Sequence, residues 1–203
     1  MLFTFGNRLD PVHIFGTVAL LLYTDFGDYL ESTNVALSCP RFRAVLDNMI
    51  HVHIGILTWS ILDPVPWSLN MDMLTVALGA SLIDVDHFIA AGSWSIDNAI
   101  HASHRGIFHS TGLFFLIFFI LHRFKPHLAL LFLVAFLPHH MRDAQRRGIY
   151  IFPPASLGLE TPPVPKFIVR LFLPIFPWLL VGLRERFNIG LDFPPVLPKV
   201  WNA

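Results

Sequence analysis

Ala77-Leu78-Gly79-Ala80-Ser81-Leu82-Ile83-Asp84-Val85-Asp86-His87-Phe88-Ile89-Ala90 is an apolar run that carries three potential metal-binding groups within four residues. Ionisable side chains in such surroundings are costly unless they are paired, hydrogen-bonded or bound to a metal. The same mixture recurs along the chain: Asp47 with His51, His104 with His109, and His139 and His140 with Asp143. Everything else in the sequence is arranged around these four clusters.

With 203 residues there is room for one domain, residues 1–203, and hardly for two. The chain is 54% hydrophobic and 14% charged, against roughly 25% charged in ordinary soluble domains, which predicts an integral, multipass membrane protein. A formal charge of +0 gives no reason to expect a nucleic-acid partner, so the expected partner is the lipid bilayer. Cys39 is the single cysteine, which excludes a disulfide framework and a thiolate zinc site. Any metal must then be held by His and carboxylate, and eleven His and eleven Asp against three Glu fit that chemistry.

Six apolar stretches predict an all-α, multipass transmembrane helix bundle of about five or six membrane segments. They run from Val12 to Tyr23, Ala44 to Leu62, Met71 to about Ala91, Gly106 to Leu121, Leu128 to about Asp143, and Phe167 to Leu183. A polar loop with Asp25, Asp28 and Glu31 is expected after the first, and a stop at Asp63-Pro64-Val65-Pro66 after the second. The fourth and fifth are short enough for a re-entrant hairpin, with a turn over His122 to Pro126. The motif core covers about 44–153; a Pro-rich part, 153–203, ends in an apolar tail that reads as interfacial. Lys and Arg are balanced between the two sides and fix no orientation.

Successive spans run antiparallel, so a start, an end, a start and an end bring all four clusters to one side of the membrane. At about 100° per residue, Asp47 shares a helical face with His51, and Asp84 with His87, while Asp86 is splayed about 160° from Asp84. One of these two aspartates is then free to bridge to a second metal or to orient a ligand from behind. Asp143 lies between the directions of His139 and His140, so either can join it, and Gly106 puts His104 in a loop away from His109. The bland readings are a helix cap for Asp47, pairing of the Asp84–His87 group with Arg105 or Arg142, and back-bonding by Ser110 and Thr111. His13, His53, His101, His122 and His127 read as structural histidines. Imidazole and carboxylate without thiolate suit zinc, with manganese or iron as alternatives, and several of each suggest a dinuclear centre.

Asp84-Val85-Asp86-His87, the stretch His104-Arg105-Gly106-Ile107-Phe108-His109-Ser110-Thr111, and His139-His140-Met141-Arg142-Asp143 before Gly148 and Pro153 resemble the YdjM-like family of membrane-bound metal-dependent hydrolases. Asp47-Asn48, Ile54-Gly55, Trp59, the stretch Ala90 to Ser93 and Arg147-Gly148 look like its eukaryotic transmembrane protein 267 group. The resemblance covers roughly Asp47 to Pro153. It implies Asp84, Asp86, His87, His104, His109, His139 and Asp143 as ligands or catalytic groups, with His140 competing for the place of His139. It also implies a remote link to zinc phosphoesterases.

The function expected is therefore a metal-dependent hydrolase with its His/Asp centre at one membrane face, acting on a phosphoester lipid. Asp47, His51, Asp84, Asp86, His87, His109, His139, His140 and Asp143 are the candidate ligands. Asp86 is also the candidate bridging or orienting group, and His104 the candidate general acid or base. Arg105 and Arg142 are placed to bind phosphate oxygens. The other class is a non-catalytic membrane protein with a structural or transport-related metal site.

Overall fold

The computed structural model describes residues 11–63, 70–153 and 157–187. The tail expected at the interface, residues 188–203, and the prolines expected to stop the second segment lie outside them. The architecture is an all-α membrane bundle. Among the described residues there is one isolated bridge, Tyr150 to Glu160, and no sheet.

Helix α1 (Pro11–Glu31) continues through the residues expected to form a polar loop, so Asp25, Asp28 and Glu31 are helical. Gly27 permits this: a Cβ there would sit 3.0 Å from the Ile50 side chain, so α1 packs closely on the next long helix. After the short α2 (Asn34–Ser38), α3 (Pro40–Leu62) starts with Pro at its first position, where a missing N–H costs nothing. It starts four residues before the expected Ala44 and absorbs Arg41 and Arg43 into its first turn.

Helix α4 (Met71–Leu82) is capped by Asn70, which accepts from the Met73 N–H at 2.8 Å. The chain then breaks at Ile83-Asp84 and resumes as α5 (Val85–Ala91), which Gly92 ends in a left-handed conformation at φ 59°. A short α6 (Ile96–Ile100) and a 3-10 turn (Ile107–His109) lead into α7 (Thr111–Phe124). Lys125 alone separates α7 from α8 (Pro126–Arg147), a tighter connection than expected, and α9 (Lys166–Phe187) closes the described chain.

Among the described residues, three helical stretches are long and apolar enough to cross a membrane: Pro40–Leu62, Met71–Ala91 and Lys166–Leu183. At 14 residues, about 21 Å, α7 is short of the ~30 Å hydrocarbon core. Length and polarity separate the other apolar stretches from these three. Acidic residues enter the last turns of α1, and the final third of α8 carries His139, His140, Arg142, Asp143, Arg146 and Arg147. Phe15, Leu22, Phe119 and Leu171 are exposed on the outer surface, as a lipid-facing belt requires.

Inside, Trp59, Met73, Val76, Ala80, Val134, Ala135 and Phe176 join α3, α4, α8 and α9, while Leu20, Ile50, Ile54, Val169 and Leu173 join α1, α3 and α9. Small residues set the spacing. A Cβ on Gly79 would lie 3.0 Å from that of Ala135, and one on Gly55 would lie 3.1 Å from Val76. In lipid, where apolar side chains gain little by leaving the solvent, such close approach is what holds helices together. It also brings the α4 backbone within reach of α8, where the Ala80 carbonyl meets His139.

Candidate metal centre

The break between α4 and α5 builds the centre. Asp84 occupies the turn and its carboxylate shares a side with His87, three residues on, while Asp86 turns to His109 Nδ1. Two groups of ligand atoms, each within 4.8 Å of one another, then face each other: His51, His139 and Asp143 in one, and Asp84, His87 and His109 in the other. They are joined through their carboxylates. His139 Nε2 lies 3.5 Å from Asp84 Oδ1 and 3.6 Å from Asp143 Oδ2, and His109 Nε2 lies 3.6 Å and 3.2 Å from the same two atoms. Asp84 and Asp143 thus stand between the two groups, with His51 Nε2 3.4 Å from Asp143 Oδ1 and His87 Nε2 3.7 Å from Asp84 Oδ1 at the flanks.

The donor atoms are poised for a ligand. His109 Nε2 and His139 Nε2 are both buried and neither closes a hydrogen bond. Their other nitrogens are held from behind: His139 Nδ1 faces the Ala80 carbonyl at 3.1 Å, and His109 Nδ1 faces Asp86 Oδ1 at 3.0 Å. A carbonyl can only accept, so His139 Nδ1 carries a proton, and Nε2 is the nitrogen left to meet a ligand. The His51 ring stacks on His139 at 3.6 Å between centroids, fixing both rings. Burial alone would push His109 down. The carboxylates of Asp143, Asp84 and Asp86 outweigh it and hold His109 well above its ordinary value, so this is a place that favours positive charge.

Asp86 is turned the other way. It is fully buried, and its Oδ2 accepts the backbone N–H groups of Phe108 (2.7 Å) and His109 (3.2 Å). With both oxygens spent on the 3-10 turn and on His109, its geometry is that of an orienting group and not of a direct ligand. Gly106 is required by the same contact, because a Cβ there would overlap the Asp86 carboxylate. The start of α7 is equally well fixed: Thr111 N and Gly112 N donate to Tyr150 O and Ile151 O at 2.8 and 2.9 Å, and Leu113 N to Ser110 Oγ at 3.2 Å. Ser110 is therefore a helix cap, and it also donates to Ile151 O.

Other expected site residues fall elsewhere. His140 has both nitrogens engaged, Nε2 with Phe108 O at 2.9 Å and Nδ1 with Thr111 Oγ1 at 3.2 Å, so His139 is the one that faces the centre. His104 is exposed beside Ser103 and is not among the grouped ligands. Arg105 donates to Gly148 O at 3.1 Å and lines a small hollow with His109 and Asp143. Arg142 is 1% exposed and committed to carboxylates: Asp47, Glu31 at 2.9 Å and Asp28 at 3.4 Å. Such a guanidinium has little left for a phosphate. Neither arginine pairs with Asp84, so the purely ionic reading of that cluster does not hold. Asp47 is shared between Arg142 and Arg146 and lies 3.5 Å from His51 Nε2, which makes it a neighbour of the centre held by arginine. His127 meets Asp72 at 2.9 Å, and His53 meets its own helix at Met49 O, as structural histidines do.

Three contributors were not legible as site residues. Asn48 donates to Asp84 Oδ2 at 2.9 Å and accepts from Ser81 Oγ at 2.9 Å, locking the carboxylate. Glu31 and Asp28 reach the site from α1 through Arg142. Asn48 directly follows Asp47, which was the available signal; for α1 there was none, since its acids read as a loop. Beside the centre lies a cavity of about 530 Å³, reached by Asp47, Asp84 and His87 on one side and by Arg43, Arg146 and Arg147 on another.

No family model and no solved structure matches the chain. Among known proteins it is similar to transmembrane protein 267 of Mus musculus, 33% identical over 159 residues that cover 70% of this chain and 72% of the relative. The Danio rerio protein of that name is 33% identical over 68% of this chain and 70% of the relative, and that of Xenopus laevis 29% identical over 72% and 73%. Together with three helices able to span a bilayer, these relatives mark an integral membrane protein. Identity of a third over more than two thirds of both chains shows that the protein belongs to the transmembrane protein 267 family.

Proposed function

We propose that the protein is a membrane-embedded metal-dependent hydrolase with a His/Asp centre that takes two divalent ions, zinc from the donor set, with manganese or iron as alternatives. The observation carrying this reading is the pair of buried imidazole nitrogens, His109 Nε2 and His139 Nε2, that close no hydrogen bond and converge on the carboxylates of Asp84 and Asp143. Metal ions held there would acidify water and stabilise charge on an attacked group. His51, His139 and Asp143 would hold one ion, and Asp84, His87 and His109 the other. Asp86, Asn48 and the Ala80 carbonyl hold these groups in place. The likeness of the three motifs to the YdjM-like hydrolases supports hydrolysis, with a phosphoester lipid as substrate.

Elemental analysis of the purified protein beside His139→Ala and Asp143→Ala tests the centre. One or two ions per chain in the wild type, lost in both variants, is the expected result. A wild type that stays metal-free after added zinc or manganese overturns it. Incubation of the metal-loaded protein with phosphoester lipids then tests hydrolysis, and no product from any of them overturns that half.

One observation favours a second reading, a structural or transport-related metal. The ligands come from α3, the α4–α5 break, the 3-10 turn and α8, and His51 lies eleven residues after Pro40, about 16 Å along α3. A metal there ties four elements together at a depth a carrier would also use. Strong stabilisation by metal without turnover, or metal-dependent ion flux into vesicles, is the result that selects it.

A further inference from the structure

Resting on the metal reading, we infer that the cavity beside the centre is the binding site for a phosphate-bearing amphiphile, with Arg43 and Arg147 as its headgroup residues. At about 530 Å³ it has the size of a small-molecule site. One end is formed by Asp84 and His87 of the centre, which puts whatever occupies it against the proposed ions. Three arginines line it. Arg146 is spent on Asp47 and Asp143 at 2.8 and 3.0 Å, whereas Arg43 and Arg147 form no ion pair among the described residues. A guanidinium without a carboxylate, facing a cavity, is built to take an oxyanion through two parallel N–H bonds.

Beside the polar Asn48, Ser81 and His101, most of the remaining wall is apolar, with Val45, Met49, Val85, Phe88, Ile96 and Ile100. Val45 and Met49 are also exposed, at 52% and 46%, on the outer face of α3, a helix able to span the bilayer. The apolar wall is thus continuous with the surface where lipid tails lie, which gives a chain somewhere to go and a free phosphate nothing to gain.

The test is equilibrium binding to the full-length, zinc-treated protein of three probes: dihexanoyl phosphatidic acid, dihexanoyl phosphatidylcholine and inorganic phosphate. Phosphatidic acid is expected to bind at least tenfold more tightly than either of the others. Arg147→Ala and Arg43→Ala, together, are expected to remove that preference with zinc content unchanged, and Arg147→Lys to recover part of it. Equal binding of the two lipids, or a preference that survives the double variant, overturns the inference. Inorganic phosphate binding as tightly as phosphatidic acid overturns the amphiphile and leaves a free-phosphate site. Zinc is measured in the same samples, so arginine-dependent lipid binding by a metal-free protein overturns the metal reading while supporting this one.

Discussion

Asp86 shows how much one atom decides. Its Oδ2 accepts two backbone N–H groups and its Oδ1 faces His109 Nδ1, so the carboxylate both shapes the 3-10 turn and sets the His109 tautomer. Asn in its place keeps an oxygen for the backbone donors but turns an NH2 toward Nδ1. His109 would then protonate at Nε2 and lose the lone pair that faces Asp84 and Asp143. Asp86→Asn is therefore expected to fold and to bind zinc about 10–100-fold more weakly, as outer partners of metal-binding histidines typically cost. Titration with a competing chelator checks this; undiminished affinity would mean that Nε2 is not a donor. That Asp86 belongs near the site was readable from its spacing to His87. Its role behind His109 was not, because a sequence does not say which nitrogen of a distant ring it meets.

At the scale of elements, two glycines make opposite forecasts. Gly106 sits at the entry to the 3-10 turn in ordinary extended backbone, so its need is for space: an added methyl would overlap the Asp86 carboxylate. Gly106→Ala is expected to displace Asp86, lower the thermal midpoint and lower metal content together. Gly182, in the last turns of α9, has none of the described residues within reach of an added Cβ, and Gly182→Ala is expected to be neutral or to stabilise by about 0.5–1 kcal/mol through helix propensity. Parallel thermal melts and metal analysis of the two variants read the contrast. The same scale explains why helix ends were harder to read than helix existence. Asp25, Asp28 and Glu31 looked like a loop because they are acidic, yet they sit on α1 with cationic partners: Arg170 for Asp25, Lys166 and Arg142 for Asp28, and Arg142 and Arg146 for Glu31. Tertiary partners supplied the charge balance that the local sequence lacked.

For the whole molecule, the polar interior is the main stability question. Arg142 is buried with Asp47, Glu31 and Asp28 around it and joins α1, α3 and α8. Removing it leaves Glu31 with only Arg146 at 3.9 Å and takes one of their cationic partners from Asp47 and Asp28, so Arg142→Ala is expected to destabilise by about 3–5 kcal/mol. Chemical unfolding in detergent measures this, and a loss below about 1 kcal/mol would show that water reaches the cluster. Metal should act on the same bundle. An ion bound to the folded state at a thousand times its dissociation constant adds about 4 kcal/mol. Chelation is thus expected to lower the thermal midpoint of the wild type and to leave His139→Ala unmoved. Equal melting with and without chelator would remove the metal from the account of stability.

The sequence by itself determined the class of the molecule and the chemistry it has available. Low charge and long apolar runs require helices in a membrane, and Asp and His placed in those runs require partners. Antiparallel threading was enough to expect Asp47, His51, Asp84, His87, His109, His139 and Asp143 near one another. Only the tertiary structure decided which of them face each other. The break at Asp84, the close contact of Gly79 with Ala135, and the docking of Tyr150 and Ile151 on the start of α7 each set an angle or a depth that helical periodicity cannot carry. The choice of His139 over His140 has the same origin. Adjacent residues on a helix differ by about 100°, and which direction is inward depends on the neighbours the helix finds.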